Sequence, residues 1–126
     1  TVWRKYKLKM PKLVYIAHQI GGNVSENIKS VLKICKDIHT HDIFPITPYI
    51  TALQYLDDNL PRDRELGVPI NHEFFIKKII DEIWLCGPRI SKGMVEEIKL
   101  SLKHGIAIKC FNPKLEKELG LIIKNS

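Results

Sequence analysis

Seven consecutive residues, Ser91-Lys-Gly-Met-Val-Glu-Glu97, hold the densest set of groups able to do chemistry in this chain. They follow an uninterrupted apolar run, Ile83-Trp-Leu-Cys86, and a stop at Gly87-Pro88. That order predicts a buried strand, a turn, and a helix N-capped by Ser91 and C-capped by Gly105. The free backbone N–H groups and positive dipole end of such a helix start suit an anion such as phosphate. Helical geometry separates the two glutamates. With Val95, Ile98 and Leu102 as the core stripe, Glu96 projects opposite to it and can pair with Lys99 or Lys103, while Glu97 borders it on the side of Met94 and Ser101. A carboxylate at that edge, screened by apolar neighbours, can act as nucleophile or base, or serve as a structural ion-pair partner.

Two further loops belong on the same rim if the sheet is parallel: His18-Gln-Ile-Gly-Gly-Asn23 and Thr47-Pro-Tyr49. Gly21 and Gly22 either admit a phosphate or only make a tight turn, because their spacing matches neither the dinucleotide fingerprint nor a P-loop. His18 can touch a ligand or pass a proton, or be a solvated loop histidine. His39 and His41 form an H-x-H pair with no third ligand at a recognisable spacing, so no metal site is expected. Cys86 falls within the buried run and reads as core.

The elements that position these groups follow from periodicity. Lys12-Leu-Val-Tyr-Ile-Ala17 is a short β-rich run, and Ile28, Val31, Leu32, Cys35 and Ile38 recur at helical spacing after Ser25. Asp42 to Thr47 is a second, weaker strand containing Pro45. Tyr49 to Leu56 suits a helical turn or two, and the polar stretch Asp57 to Gly67 reads as a surface loop. Phe75, Ile76, Ile79 and Ile80 form a helical stripe over 72–80, and Ile106 to Phe111 is a last strand, followed by a turn of helix near 114–119 and a fraying tail. Strands alternating with helices at this spacing predict an α/β fold with right-handed crossovers. The expected form is a Rossmann-like or flavodoxin-like three-layer sandwich on a mostly parallel sheet of four to five strands.

The formal charge of +6 loses its suggestion of nucleic-acid binding once located: residues 1 to 12 carry five of the positive charges and no acid, leaving +1 for the other 114. Residues 1–11 therefore read as a basic extension and 12–126 as a single domain, with no nucleic-acid partner expected. No apolar run approaches the roughly 18 residues of a membrane span, and there is no secretory h-region. Three cysteines without C-x-x-C spacing fit a reducing, cytoplasmic setting.

Three blocks together resemble the nucleoside 2-deoxyribosyltransferase-like superfamily, in particular its small bacterial or phage-type branch. They are Tyr15-Ile-Ala-His-Gln-Ile-Gly-Gly-Asn23, Arg64-Glu-Leu-Gly67, and Asp81-Glu-Ile-Trp-Leu-Cys-Gly87 with Ser91-Lys-Gly-Met-Val-Glu-Glu-Ile98. The last, S-x-G-x-x-x-E after a strand ending in Gly, is the specific part, and the likeness runs from about Leu13 to Phe111. It implies a cofactor-free, metal-free subunit of a homodimer or larger homo-oligomer that cleaves the N-glycosidic bond of a nucleoside or nucleotide. Glu97 takes the place of the nucleophile. His18, Gly21, Gly22, Arg64, Ser91, Gly93 and Met94 fall in the substrate-binding set. The family's second carboxylate, an aspartate about eight residues before the aspartate opening the next strand, is matched here by Glu73.

The chemistry so implied is that of a retaining glycosidase. Glu97 attacks the anomeric carbon while an acid, Glu73 or a bound water, protonates the departing base, and the glycosyl ester passes to water or to a second base. The replacement of aspartate by Glu73 keeps a second reading open, a nucleotide-binding protein that senses or sequesters its ligand without turnover.

Overall fold

The computed structural model describes residues 10–126, so most of the basic extension lies outside the described residues. Its centre is a four-stranded, all-parallel sheet. The strands are β1 (Lys12–Ala17), β2 (Ile43–Ile46), β3 (Glu82–Leu85) and β4 (Ala107–Cys110), in the spatial order β2-β1-β3-β4. This is the flavodoxin-like order, with a switch point between β1 and β3. Pro45 is accommodated because β2 is an edge strand, where a missing ladder donor faces away from the sheet.

Alternation along the strands divides the core into two layers. Val14 and Ile16 point to one face and pack with Val31 and Ile38 of α1 (Val24–Ile38). Tyr15 and Ala17, with Ile83 and Leu85 in register beside them, point to the other face. There they meet Phe75 of α3 (Pro61–Ile76) and Met94 and Ile98 of α4 (Lys92–His104). A short α2 (Pro48–Ala52) follows β2, and a 3₁₀ turn (Pro113–Leu115) leads into α5 (Glu116–Lys124). The architecture is therefore the α/β sandwich expected, with four strands. No helix among the described residues is long and apolar enough to cross a membrane.

Glu82 receives hydrogen bonds from Lys12 Nζ (2.9 Å), Lys109 Nζ (3.1 Å) and the Trp84 indole (2.9 Å), and Trp84 stacks on Phe111 at 5.9 Å between centroids. Burial opposes the charge on Glu82, but these three donors outweigh it and hold the carboxyl down at about 2.

Two elements differ from the sequence expectation. The stretch read as a surface loop from Asp57 is helical from Pro61, and α3 ends at Ile76 rather than running to Ile80. Gly67 and Pro69 disguise it, since both disfavour a helix interior, and its apolar residues lie all round with no dominant face. Gly67 has a packing reason: a Cβ there would stand 3.3 Å from Leu56 Cδ1, so the bare backbone lets α3 close on the segment after α2. At the far end Lys78 takes a left-handed conformation (φ 52°) that turns the chain into β3. The C-terminal helix, in turn, continues through Lys124 where a frayed tail was expected.

Candidate functional site

A cleft of about 560 Å³ opens on the rim where the strands end. Its walls come from the loop after β1 (His18, Gln19, Gly21), from α2 and the turn after it (Tyr49, Leu53, Leu56), from α3 (Asn71, His72), and from the α4 start (Ser91, Gly93, Glu97). Open parallel sheets bind ligands in such a crevice beside the switch point.

Glu97 is the buried acid of this cleft. Met94, Glu97, Ile98 and Ser101 are the buried residues of α4, while Leu102 is 39% exposed. The core stripe is thus rotated from the expected Val95–Ile98–Leu102 line, and Glu97 lies within the buried face rather than at its edge. Glu96 is exposed, with Lys99 Nζ 3.9 Å away, as anticipated for a solvated partner. The Tyr15 hydroxyl donates a hydrogen bond to Glu97 Oε2, and the Tyr15 ring is held by Phe75 (4.7 Å) and Tyr49 (5.9 Å). Tyr49 in turn donates its hydroxyl to the Ile16 carbonyl. Burial raises the Glu97 carboxyl from 4.5 to about 7, against the pull of the Tyr15 hydrogen bond. A carboxyl with that value changes charge near neutrality and can serve as base or nucleophile without an adjoining cation.

The α4 start is built as the sequence predicts. Ser91 Oγ accepts from Met94 N (3.3 Å), and Gly105 caps the other end at φ 69°. The amides of Lys92 and Gly93 are first-turn donors with no intrahelical acceptor, beside the side chains of Arg89 and Lys92. Arg89 Nε donates to Gln19 Oε1 (2.8 Å), joining the loops after β1 and β3 across the cleft.

His18 lines the cleft, but protein groups occupy both of its ring nitrogens. Nδ1 lies 2.6 Å from the Gln19 carbonyl, which can only accept, so Nδ1 carries the hydrogen; Nε2 lies 3.0 Å from Ser30 Oγ. Gly87 makes this placement possible. Its φ is +81°, and a Cβ there would stand 2.9 Å from His18 Nε2.

Of the residues singled out in the sequence, Glu97, His18, Gly21, Arg64, Ser91, Gly93 and Met94 line the cleft, and Gly22 does not. Glu73 also stands outside it: its side chain is half exposed on α3 and 3.7 Å from Lys77 Nζ. Arg64 is inside, with Nη1 3.0 and 3.2 Å from the two Asp58 oxygens. Asp63 accepts from the Asp57 amide at 2.9 Å. Asp58 and Asp63 went unrecognised because the turn before α3 and its first turns read as loop, while Asn71 and His72, at the start of the helical stripe expected over 72–80, carried no motif that singled them out. The part of Tyr15 carried no local signal, since a tyrosine in an apolar strand reads as core. No group of side chains able to hold a metal occurs among the described residues, and Cys35, Cys86 and Cys110 are free. Burial pushes the Cys86 thiol up to about 12, so it is no nucleophile at neutral pH.

Residues 12–111 match the family described as Domain of unknown function (DUF7768). The chain belongs to that family. No curated protein and no solved structure matches it. The family's span runs from the first residue of β1 to the residue after β4, so it takes in the whole sheet and every wall of the cleft.

Proposed function

We propose that this protein cleaves the N-glycosidic bond of a nucleoside or nucleotide through a covalent bond between Glu97 and the sugar. The observation that carries the reading is Glu97 itself, buried in the cleft wall on a tyrosine hydroxyl and titrating near neutrality. The free amides of Lys92 and Gly93, with Arg89 and Lys92 beside them, suit a phosphate on the same ligand. The resemblance of the Ser91–Glu97 block to deoxyribosyltransferase-like enzymes supports the same assignment.

In this reading a Glu97 oxygen attacks the anomeric carbon and the C–N bond breaks. The bonding pair leaves with the base nitrogen, which takes a proton from water. Water then attacks the anomeric carbon of the ester, giving the free sugar and restoring the carboxylate; a second base in place of water gives transfer. Tyr15 orients the carboxylate and stabilises its anionic form. The subunit assembles as a homodimer or larger in a reducing, cytoplasmic setting. Exposed Leu60, Leu66 and Ile70 supply apolar surface for assembly, and the three free cysteines fit that setting.

One observation favours a second reading, a nucleotide-binding protein without turnover. Asp58 is paired with Arg64, Asp63 is bonded to the Asp57 amide, and Glu73 stands outside the cleft. None of these carboxyls is therefore disposed to protonate a leaving base.

The deciding experiment incubates wild type and Glu97→Ala with nucleosides, deoxynucleosides and their 5′-monophosphates. Base release by wild type alone establishes the glycosidase. Thermal stabilisation of both proteins without base release establishes the binder, because a ligand of the native state raises apparent stability by mass action. Absence of both effects across the panel ends both readings.

A further inference from the structure

The glycosidase reading leaves one proton without a protein donor. When the bond between sugar and base breaks, the base nitrogen keeps the bonding pair and needs a proton, which a positioned side chain delivers faster than bulk water.

Most proton carriers of the cleft wall are already committed. Asp58 accepts from Arg64, and Asp63 accepts from the Asp57 amide. The Tyr49 hydroxyl goes to the Ile16 carbonyl, and burial holds that phenol well above its usual range. His18 has a protein group at each ring nitrogen. Guanidinium and ammonium groups are poor acids near neutral pH, so the cationic side chains of the wall suit binding rather than proton transfer. Glu97 itself must be anionic to attack.

His72 differs from all of these. It lines the cleft from α3, half-buried, and among the described residues neither of its ring nitrogens has a hydrogen-bond partner. Neither nitrogen is sealed in the wall, because the Asn71 oxygen is the only unpartnered side-chain atom among the described residues that is fully buried. Arg64, Val68 and His72 recur every four residues on the side of α3 that lines the cleft. Phe75, three residues further along, packs on Tyr15 at 4.7 Å, and Tyr15 bonds Glu97. His72 therefore stands about one turn of helix, ~5 Å along the α3 axis, from the ring that backs the Tyr15–Glu97 pair. Helices α3 and α4 pack on each other, and a cleft of about 560 Å³ has the size of a single small-molecule site, so His72 and Glu97 serve the same ligand.

We propose that His72 is the catalytic acid and base of this cleft. As the C–N bond breaks, the imidazolium gives its proton to the base nitrogen that keeps the bonding pair, and becomes neutral imidazole. That imidazole then takes a proton from the water that attacks the glycosyl ester of Glu97, or from the N–H of a second base in transfer, and is charged again. An imidazole can carry out both halves. This rests on the glycosidase reading, and it routes through His72 the proton that water finally supplies.

The test uses His72→Ala and His72→Gln in the full chain. Both replace a side chain without hydrogen-bond partners among the described residues, so both should melt close to wild type. For the nucleoside or 5′-monophosphate that wild type turns over fastest, kcat/KM for base release should fall roughly 100-fold or more. Kd for that compound, measured in the Glu97→Ala background, should be the same with and without His72→Ala. The p-nitrophenyl glycoside of the same sugar loses an anion that needs no proton, so its kcat/KM should stay near wild type, with a burst of p-nitrophenolate ahead of slow turnover as the ester waits for its base. Added imidazole should restore base release by His72→Ala in proportion to its concentration. An unchanged kcat/KM for base release, an equal loss on the nucleoside and the p-nitrophenyl glycoside, or a loss matched by weaker binding overturns the proposal and leaves Glu97 standing as the nucleophile. Absence of base release by wild type from every compound ends the glycosidase reading, and the proposal with it.

Discussion

Tyr15 and Glu97, 82 positions apart in the chain, meet through one hydrogen bond in which the phenol donates to the carboxylate beneath the cleft. The contact joins β1 to α4 across the switch point of the sheet, and it opposes the burial that would otherwise raise Glu97 further. Tyr15→Phe keeps the ring between Phe75 and Tyr49 but removes the donor. If the protein is a glycosidase, kcat/KM should fall by roughly 10- to 100-fold. The acid limb of the pH–rate profile, set near 7 by Glu97, should move to higher pH. An acid limb unmoved by the substitution would mean that Tyr15 does not act on Glu97.

Glu97 also makes the fold depend on pH, with a sign opposite to that of most carboxylates. Its native value of about 7 lies above the ordinary 4.5, so between those values the native state binds more protons than the unfolded state. Stability from this group therefore falls as pH rises from 4.5 through 7, by on the order of 3 kcal/mol in all. Glu97→Gln should raise Tm at pH 8, with the gain fading by pH 5, and, if the protein is a glycosidase, it should abolish base release as well. Thermal melts of both proteins across that range provide the check; a variant less stable than wild type at pH 8 contradicts the sign.

Glu82 titrates the other way. Its native value of about 2, set by Lys12, Trp84 and Lys109 against the cost of burial, lies below 4.5. The stability it confers is complete above pH 4.5 and is lost as pH falls toward 2. Glu82→Gln should be destabilised at neutral pH, and its deficit relative to wild type should shrink on acidification from 5 to 2. Denaturant titrations at several acidic pH values measure this directly.

Two glycines on one rim should behave differently. Gly87→Ala places a Cβ against His18 in a left-handed backbone, at a cost of roughly 1–3 kcal/mol. Gly93 has open space where a Cβ would stand and no left-handed conformation, so Gly93→Ala should change stability by less than about 1 kcal/mol. A loss of ligand affinity in Gly93→Ala at unchanged Tm would therefore report a ligand seated against the start of α4. Stability and affinity measured side by side on both variants separate the two effects.

Much of this was legible in the sequence, and the misses have physical causes. The strand, turn and helix around Ser91 could be read because capping is local: Ser91 and Gly105 do at the ends of α4 what their residue types favour. Glu97 could be told from Glu96 because neighbouring positions on a helix point about 100° apart. The core stripe itself could not be drawn correctly, since Leu102 is apolar yet exposed while Ser101 is polar yet buried. In α3 the local signals misled, as Gly67 and Pro69 mark a loop and the helix is held instead by packing of Phe75 and the approach to Leu56. The Asp58–Arg64 pair was obscured with it. Tyr15 was legible as core and illegible as a hydrogen-bond donor, because its acceptor comes from a helix far along the chain.

The strand directions leave the molecule with one working end and one idle end. Every cleft wall is supplied at the carboxyl ends of the strands, while the turns at Thr40–Asp42, at Lys78 and at Gly105 lie at their amino ends. The chain also enters β1 at Lys12 on that idle end. A dye, an affinity handle or a second polypeptide joined ahead of β1, or inserted at those turns, attaches where it need not crowd the ligand, so the tumbling and self-association of the protein can be followed with the cleft left free.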